Sequence, residues 1–440
     1  MRQTRMRATS WIAAAAWVLS VPAVAEDWPQ WRGPRFDGTS GAKGLPVTWS
    51  ADENVRWRFE LPGPAASTPI VWGERIFVTS TREGSDDLLV LAVGRDGKLL
   101  WQKKVDEGGL EVMEQFAHET SPASPSPVTD GEHVWALFAT GKLVKLDFDG
   151  NLVWRVDLAE RYGAPNMFFG LSMSPLLYED RLFLQLLHAD AQLVVALDKG
   201  TGDEVWRHER STDARGECLH SYASPVPWEG RGGIEDRLLI HGADFITAHR
   251  MSDGVEVWRY GTLNPPESYN SMFRLVATPV VADDFVVVPT AKRGPVFALR
   301  PGGAEGPLSG AAGHVAWKLD SGTPDVPSPL VVDGLVYLAG ERGTLTVLEA
   351  DGGAEVYAER VHQSPHRGSP VLADGKVFLV GTDGTVSVVR SGRRFELLSK
   401  NSLGERLAAS PAVGGDTLYL RTYKALYAIG DTTASSPSGG

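Results

Sequence analysis

Eight times along this 440-residue chain a Ser-Pro or Thr-Pro dipeptide opens an apolar, β-rich run, with prolines at 69, 127, 175, 225, 279, 329, 370 and 411. The intervals between them are 58, 48, 50, 54, 50, 41 and 41 residues. Self-similarity at roughly 40–50 residues is the period of a propeller blade, a four-stranded sheet that buries its faces only against neighbouring copies of itself.

One unit shows the plan. Ser224-Pro225-Val226 starts a first strand, Arg237 to Ile240 forms a second, Phe245 to Ala248 a third, and Glu256 to Arg259 a fourth after the turn Ser252-Asp253-Gly254. Glycine in such a turn supplies positive φ without steric cost. Proline is tolerated at the start of a strand, where a missing N–H matters least. Fourth strands begin near residues 55, 99, 152, 204, 256, 315, 355 and 394, so the first precedes any three-strand set, while the last set, Ser410 to Ile429, lacks a fourth. Pairing Val55 to Phe59 with that C-terminal set closes the ring and removes exposed sheet edges. The expected fold is therefore all-β: an eight-bladed β-propeller of four-stranded antiparallel blades over residues 26–430, closed by an N-terminal strand. Trp57, Trp101, Trp154, Trp206, Trp258 and Trp317 recur in the fourth strands, where a large aromatic wedges between adjacent sheets. Tyr357 takes the place in the next unit, and the pattern degrades around Phe395. The Gly/Ala-rich stretch from Pro301 to Gly313 is expected to be an exposed loop.

The chain opens with Arg2, Arg5 and Arg7, an apolar run from Trp11 to Val21 and then Ala23-Val24-Ala25, the layout of a secretory signal peptide cleaved after Ala25. That run is too short to span a bilayer. Cys218, the sole cysteine, is far from the cleavage site, so neither a lipid anchor nor an intramolecular disulfide is expected, and Cys218 reads as a small buried residue. Removing the three signal arginines changes the net charge from −12 to −15. An acidic chain without a basic stripe argues against nucleic acid as a partner. The Ser/Thr/Gly-rich tail, 431–440, is expected to be disordered.

The segment Ala196-Leu197-Asp198-Lys199-Gly200-Thr201-Gly202-Asp203-Glu204-Val205-Trp206 resembles the A-x-D-x-x-T-G-x-x-x-W docking motif of the PQQ-like repeat superfamily, with looser copies before Trp154 and Trp258. Asp27 to Pro34 and the closing Leu418 to Ile429 resemble the ends of exported PQQ-like propeller proteins that carry no assigned reaction. The resemblance implies either a quinoprotein dehydrogenase or a BamB-like outer-membrane protein assembly factor. Against the dehydrogenases, the adjacent-cysteine disulfide is missing, and no clustered carboxylates supply the six to eight oxygens of a calcium site. There is no C-x-x-C-H for haem, and no hydrolase or phosphate-loop motif. No bound cofactor is expected, with PQQ and calcium as the alternative. His362 and His366 are four apart, but Pro365 and Gly368 place them in a loop, where they read as exposed structural histidines.

Topology indicates where a ligand would sit. Loops that lead into the Ser/Thr-Pro strands share one face, so residues just before those prolines should ring one mouth of the channel. These are His118, Glu119, Asn166, Phe168, His220, Tyr222, Phe273, Arg274, Asp325, His366, Arg367 and Arg406. Arginines there suit an anionic group, and the competing expectation is a plug of salt bridges such as Arg367 with Glu119 or Asp325. The long connection from Lys103 to Ala123, with Met113, Phe116 and Glu119, has the length of a functional flap. The expected function is that of an exported, monomeric, non-catalytic binding propeller whose partner is an exported protein, a glycan or a small molecule. The alternatives are a PQQ-dependent periplasmic oxidoreductase and a BamB-like assembly factor.

Overall fold

The computed structural model describes residues 26–110, 120–230 and 232–432. The expected signal peptide, the centre of the 103–123 connection and the last eight residues of the tail lie outside them, and so do His118 and Glu119.

Each Ser/Thr-Pro opens the innermost strand of a sheet, and the strand begins at the residue after the proline: Ile70, Val128, Leu176, Val226, Val280, Leu330, Val371 and Ala412. A representative blade runs Leu176–Tyr178, Arg181–His188, Ala191–Asp198 and Glu204–Glu209, each strand antiparallel to the one before. Eight such sheets form the ring. It closes as the strand count requires: Val55–Glu60 pairs antiparallel with Ala425–Ile429, so the outermost strand of the last blade comes from the N-terminal part of the chain. The middle strands are apolar on both faces because both are covered by neighbouring blades; Arg181–His188 is buried from Leu182 to His188. The only α-helix among the described residues is Leu158–Tyr162, with Asp157 as its N-cap, and none is long and apolar enough to cross a membrane.

The fourth-strand tryptophans lock blade to blade. Trp57, Trp101, Trp154, Trp206 and Trp317 each donate the indole N–H to a carbonyl in the next blade's last turn, at 2.6–3.3 Å. A glycine of positive φ beneath the ring lets it approach; at Gly97 (φ +81°) a Cβ would lie 2.6 Å from Trp57. Trp258 departs from this scheme. The Pro301–Gly313 stretch replaces the docking turn it would meet, and Gly306–Pro307 instead adds a parallel edge beside Trp258 and Arg259, with Leu308 buried. That segment is thus part of a sheet rather than a wholly exposed loop.

The Ser/Thr of each Ser/Thr-Pro has a second task. The Thr68 amide donates to Ser126 Oγ, Ser126 to Ser174, Ser174 to Ser224, Ser224 to Thr278, Thr278 to Ser328, Ser328 to Ser369 and Ser369 to Ser410, all at 2.9–3.0 Å. A girdle of hydroxyls thereby encircles the channel axis and satisfies the amides that inner strands would otherwise leave unpaired. At the junction of last and first blades, buried Arg421 reaches Ser67 Oγ and the Thr79 carbonyl.

Candidate functional site: a funnel sealed at one end

The channel is not a through-pore. Residues 28–40 pass beneath its lower end: Trp28 pairs with Val71, Pro29 accepts from the Thr129 amide, and Thr39 and Ser40 run parallel to Leu372 and Ala373. Trp28 is wholly buried. The buried Arg32 guanidinium donates to the carbonyls of Pro329 (2.5 Å), Pro370 (3.0 Å) and Asp37 (2.6 Å), and burial pulls its pKa down to about 10. Between this segment and the hydroxyl girdle is a cavity of only about 20 Å³, room for about one water.

Above the girdle the channel widens into a funnel of about 240 Å³. Its floor is Trp31, whose indole N–H lies 3.5 Å from Ser410 Oγ. All eight Ser/Thr residues of the girdle line the lower wall, and Phe169, Tyr222, Arg274, Arg367, Arg406 and Tyr423 line the upper wall with smaller side chains. No carboxylate is among the described lining residues.

The structure treats the mouth residues differently from one another. Tyr222, Arg274, Arg367 and Arg406 face the funnel. Arg274 pairs with buried Glu217 at 3.0 Å and sits over the Phe169 ring. Arg367 pairs with Asp325, itself buried, at 3.1 Å. Arg406 is exposed, lies over the Tyr423 ring, and has no carboxylate of the described residues within salt-bridge distance. Burial raises the Tyr222 hydroxyl above the ordinary tyrosine range. The remaining candidates lie off the wall. Asn166 is exposed and bonded to Asp190; Phe168 stands edge-on to buried His220; Phe273 packs between blades. His366 is fully buried, its Nδ1 2.7 Å from the Gly340 carbonyl and its ring 4.3 Å from that of buried His362. These two histidines are therefore not exposed as the loop assignment suggested: the loop turns inward between blades. Burial lowers His362 to about 4 and His366 to about 3.

Sequence reasoning missed Phe169, Tyr423, Trp31 and the girdle itself. Tyr423 sits in the hairpin turn between Thr417–Arg421 and Ala425–Ile429, on the same face as the pre-proline loops; such turns were a second available signal. The Ser/Thr of the repeat was visible throughout but read only as a strand start.

The family model for outer membrane protein assembly factor BamB matches residues 39–119, 88–305 and 307–440. The chain belongs to this PQQ-like β-propeller family. Among curated proteins, the outer membrane protein assembly factor BamB of Yersinia pestis is 23% identical over 277 residues, 62% of this chain and 61% of the relative, so the match spans about three fifths of that protein. Among solved structures, BamB from Moraxella catarrhalis superposes with a TM-score of 0.60 at 16% identity, over 84% of this chain and 98% of the other. A europium-containing methanol dehydrogenase superposes with a TM-score of 0.65 at 13% identity, over 91% of this chain and 90% of the other. At these identities the structural likeness bears on fold alone. This member of the PQQ-like family also has no group of three or more His, Cys, Asp or Glu placed to hold a metal among its described residues. The described funnel lining, hydroxyls and arginines with no carboxylate among them, does not fit the calcium that accompanies a quinone.

Proposed function

We propose that the protein is an exported, non-catalytic binding propeller that takes its ligand, or a segment of a partner protein, into the arginine-rimmed funnel. The observation that carries this reading is a blind funnel: Trp31 and Arg32 close one end, and three arginines and three aromatic rings line the other. A concavity with a few convergent polar groups is the default binding site of a fold that hosts many activities. The donor set opposes calcium-assisted quinone chemistry, so oxidation of an alcohol is not the favoured activity. The match of residues 39–305 and 307–440 to the BamB family favours a protein partner in outer-membrane assembly over a free metabolite.

Site-specific photo-crosslinking tests the reading. A photoreactive residue at Tyr423, on the funnel wall, is compared with one at Val205, an exposed position on an outer strand. Adducts formed in the periplasm from position 423 and not from Val205 support a funnel ligand; adducts from Val205 alone, or from neither, overturn it. A thermal-shift titration with PQQ in the presence and absence of Ca²⁺ addresses the alternative. A saturable upward shift that requires Ca²⁺ would replace the proposal with a quinoprotein, and no shift is the expected result.

A further inference from the structure

The girdle has a chemical consequence beyond holding the blades together. A serine or threonine hydroxyl offers one O–H donor and two acceptor lone pairs. In seven of the eight girdle residues a lone pair is taken by a neighbouring amide. None of the eight hydroxyls has an acceptor for its own proton among the described residues, although each residue is at most 8% exposed and all line the funnel. Tyr222, a funnel-lining residue higher up, also carries a buried hydroxyl with no acceptor among the described residues.

Buried donors without acceptors are costly, and the space these hydroxyls border is the funnel lumen, with the small cavity below it also reached by Ser174, Ser224 and Thr278. The charged groups of the described residues that line the lumen share that sign. Arg274, Arg367 and Arg406 line the upper wall and Arg32 lies under the floor, whereas Glu217 and Asp325 stand behind the wall, each committed to an arginine. In a chain of net charge −12, this is a local inversion of sign. From this geometry we infer that the funnel is an oxyanion site: a carboxylate or phosphate group seats on the girdle hydroxyls and is completed by Arg406. The inference rests on the reading of the funnel as a ligand site and gives that ligand its chemical class. Arg406 is the selective element, because among the described residues its guanidinium meets the Tyr423 ring and no carboxylate, and it can close a charge-assisted pair over a bound group.

Calorimetric titration of the purified protein in low-chloride buffer, with succinate in one arm and inorganic phosphate in the other, tests the inference. The expected result is one saturable 1:1 isotherm, and the arm that gives it identifies the kind of anion. Arg406→Gln is expected to weaken that binding about tenfold, the loss of one charge-assisted hydrogen bond. Thr278→Val removes one girdle proton at constant shape and should weaken binding, with recovery in Thr278→Ser; a purely structural girdle would lower thermal stability in the valine variant and leave affinity unchanged. No binding tighter than about 1 mM in either arm overturns the inference. So does binding that both Arg406→Gln and Thr278→Val leave unaltered. If mouth crosslinks form while neither anion binds, the anion assignment falls and the binding funnel stands; if anions bind while no mouth adduct forms, the partner reading falls and the anion site stands.

Discussion

The two ends of the channel are built on opposite principles. At the lower end one continuous segment supplies the seal: Trp28 is wholly buried, and Arg32 spends its guanidinium on the backbone carbonyls of Pro329, Pro370 and Asp37. At the upper end each blade contributes a side chain of its own, and two of the three arginines there are held by carboxylates behind the wall. The lower end is fixed by backbone and burial, so it has one arrangement. The mouth is held by side-chain pairs that can be exchanged one at a time without disturbing the ring. A repeat scaffold thus keeps its identity at the centre and its freedom to vary at the rim, which is where function is expected to lie.

If that contrast is real, damage at the lower end should reach stability first. Trp28→Ala removes a wholly buried indole from the cluster that joins the first and last blades, and should cost about 3–5 kcal/mol. Chemical unfolding measures it, and a loss comparable to that of an exposed substitution would show that residues 28–40 are a loose strap rather than a seal. A smaller loss is expected where the ring closes on itself. Gly97→Ala puts a methyl 2.6 Å from Trp57 at φ +81° and should cost about 1–3 kcal/mol. Gly302→Ala, also at positive φ (+55°) but with no atom within 4 Å, is the control that separates the docking clash from backbone strain.

At the mouth the expectation reverses. Asp325→Asn removes the buried partner of Arg367, lowering stability by about 1–2 kcal/mol, a modest cost because Arg367 itself is only partly buried. The same change removes a negative charge from behind the funnel wall, so oxyanion binding should strengthen. Unfolding and calorimetry on the one variant settle both signs; weaker anion binding would mean that Asp325 orients Arg367 rather than competing for it.

The sequence made the ring legible because a propeller is written as a period. The spacing of Ser/Thr-Pro, the unpaired first strand at Val55 and the tryptophan series each correspond to a contact between adjacent units, and adjacent units lie near one another in the chain. The seal was not legible: Arg32 meets Pro370 across 338 positions, and nothing in Asp27-Trp28-Pro29-Gln30-Trp31-Arg32 says which carbonyls it will find. The mouth was legible in part. Position before a proline identified a face of the ring, so Tyr222, Arg274, Arg367 and Arg406 meet in one cavity. It carried no information on which way each side chain turns, and His366 and Phe168 turn away from it. The girdle was missed for another reason: a Ser-Pro dipeptide accounts for a strand start on local grounds alone, and the neighbour's amide appears only once the blades are side by side.

The smallest effect concerns protons. His366 is buried beside the mouth against His362 and the Gly340 carbonyl, and desolvation lowers it to about 3, from an ordinary value near 6.5. Asp383, Lys400 and Arg360 act on His362 from the surrounding elements. Because the folded form binds the His366 proton far more weakly than the unfolded chain, the unfolded state holds more protons between about pH 6.5 and 3, and stability falls as pH drops through that window. Above about pH 6.5 the contribution is complete and constant. Substituting His366→Gln removes a titrating group and leaves a neutral one, so whatever the substitution costs at neutral pH, the fall in unfolding free energy between pH 6 and 4.5 should become shallower by up to about 1.4 kcal/mol per pH unit. His362 still titrates in the variant and contributes a slope of the same sense to both proteins, so the curve becomes shallower without becoming flat. Parallel curves for the two proteins would mean that His366 is reached by water in the folded state, and that the mouth is more open to solvent than its packing shows.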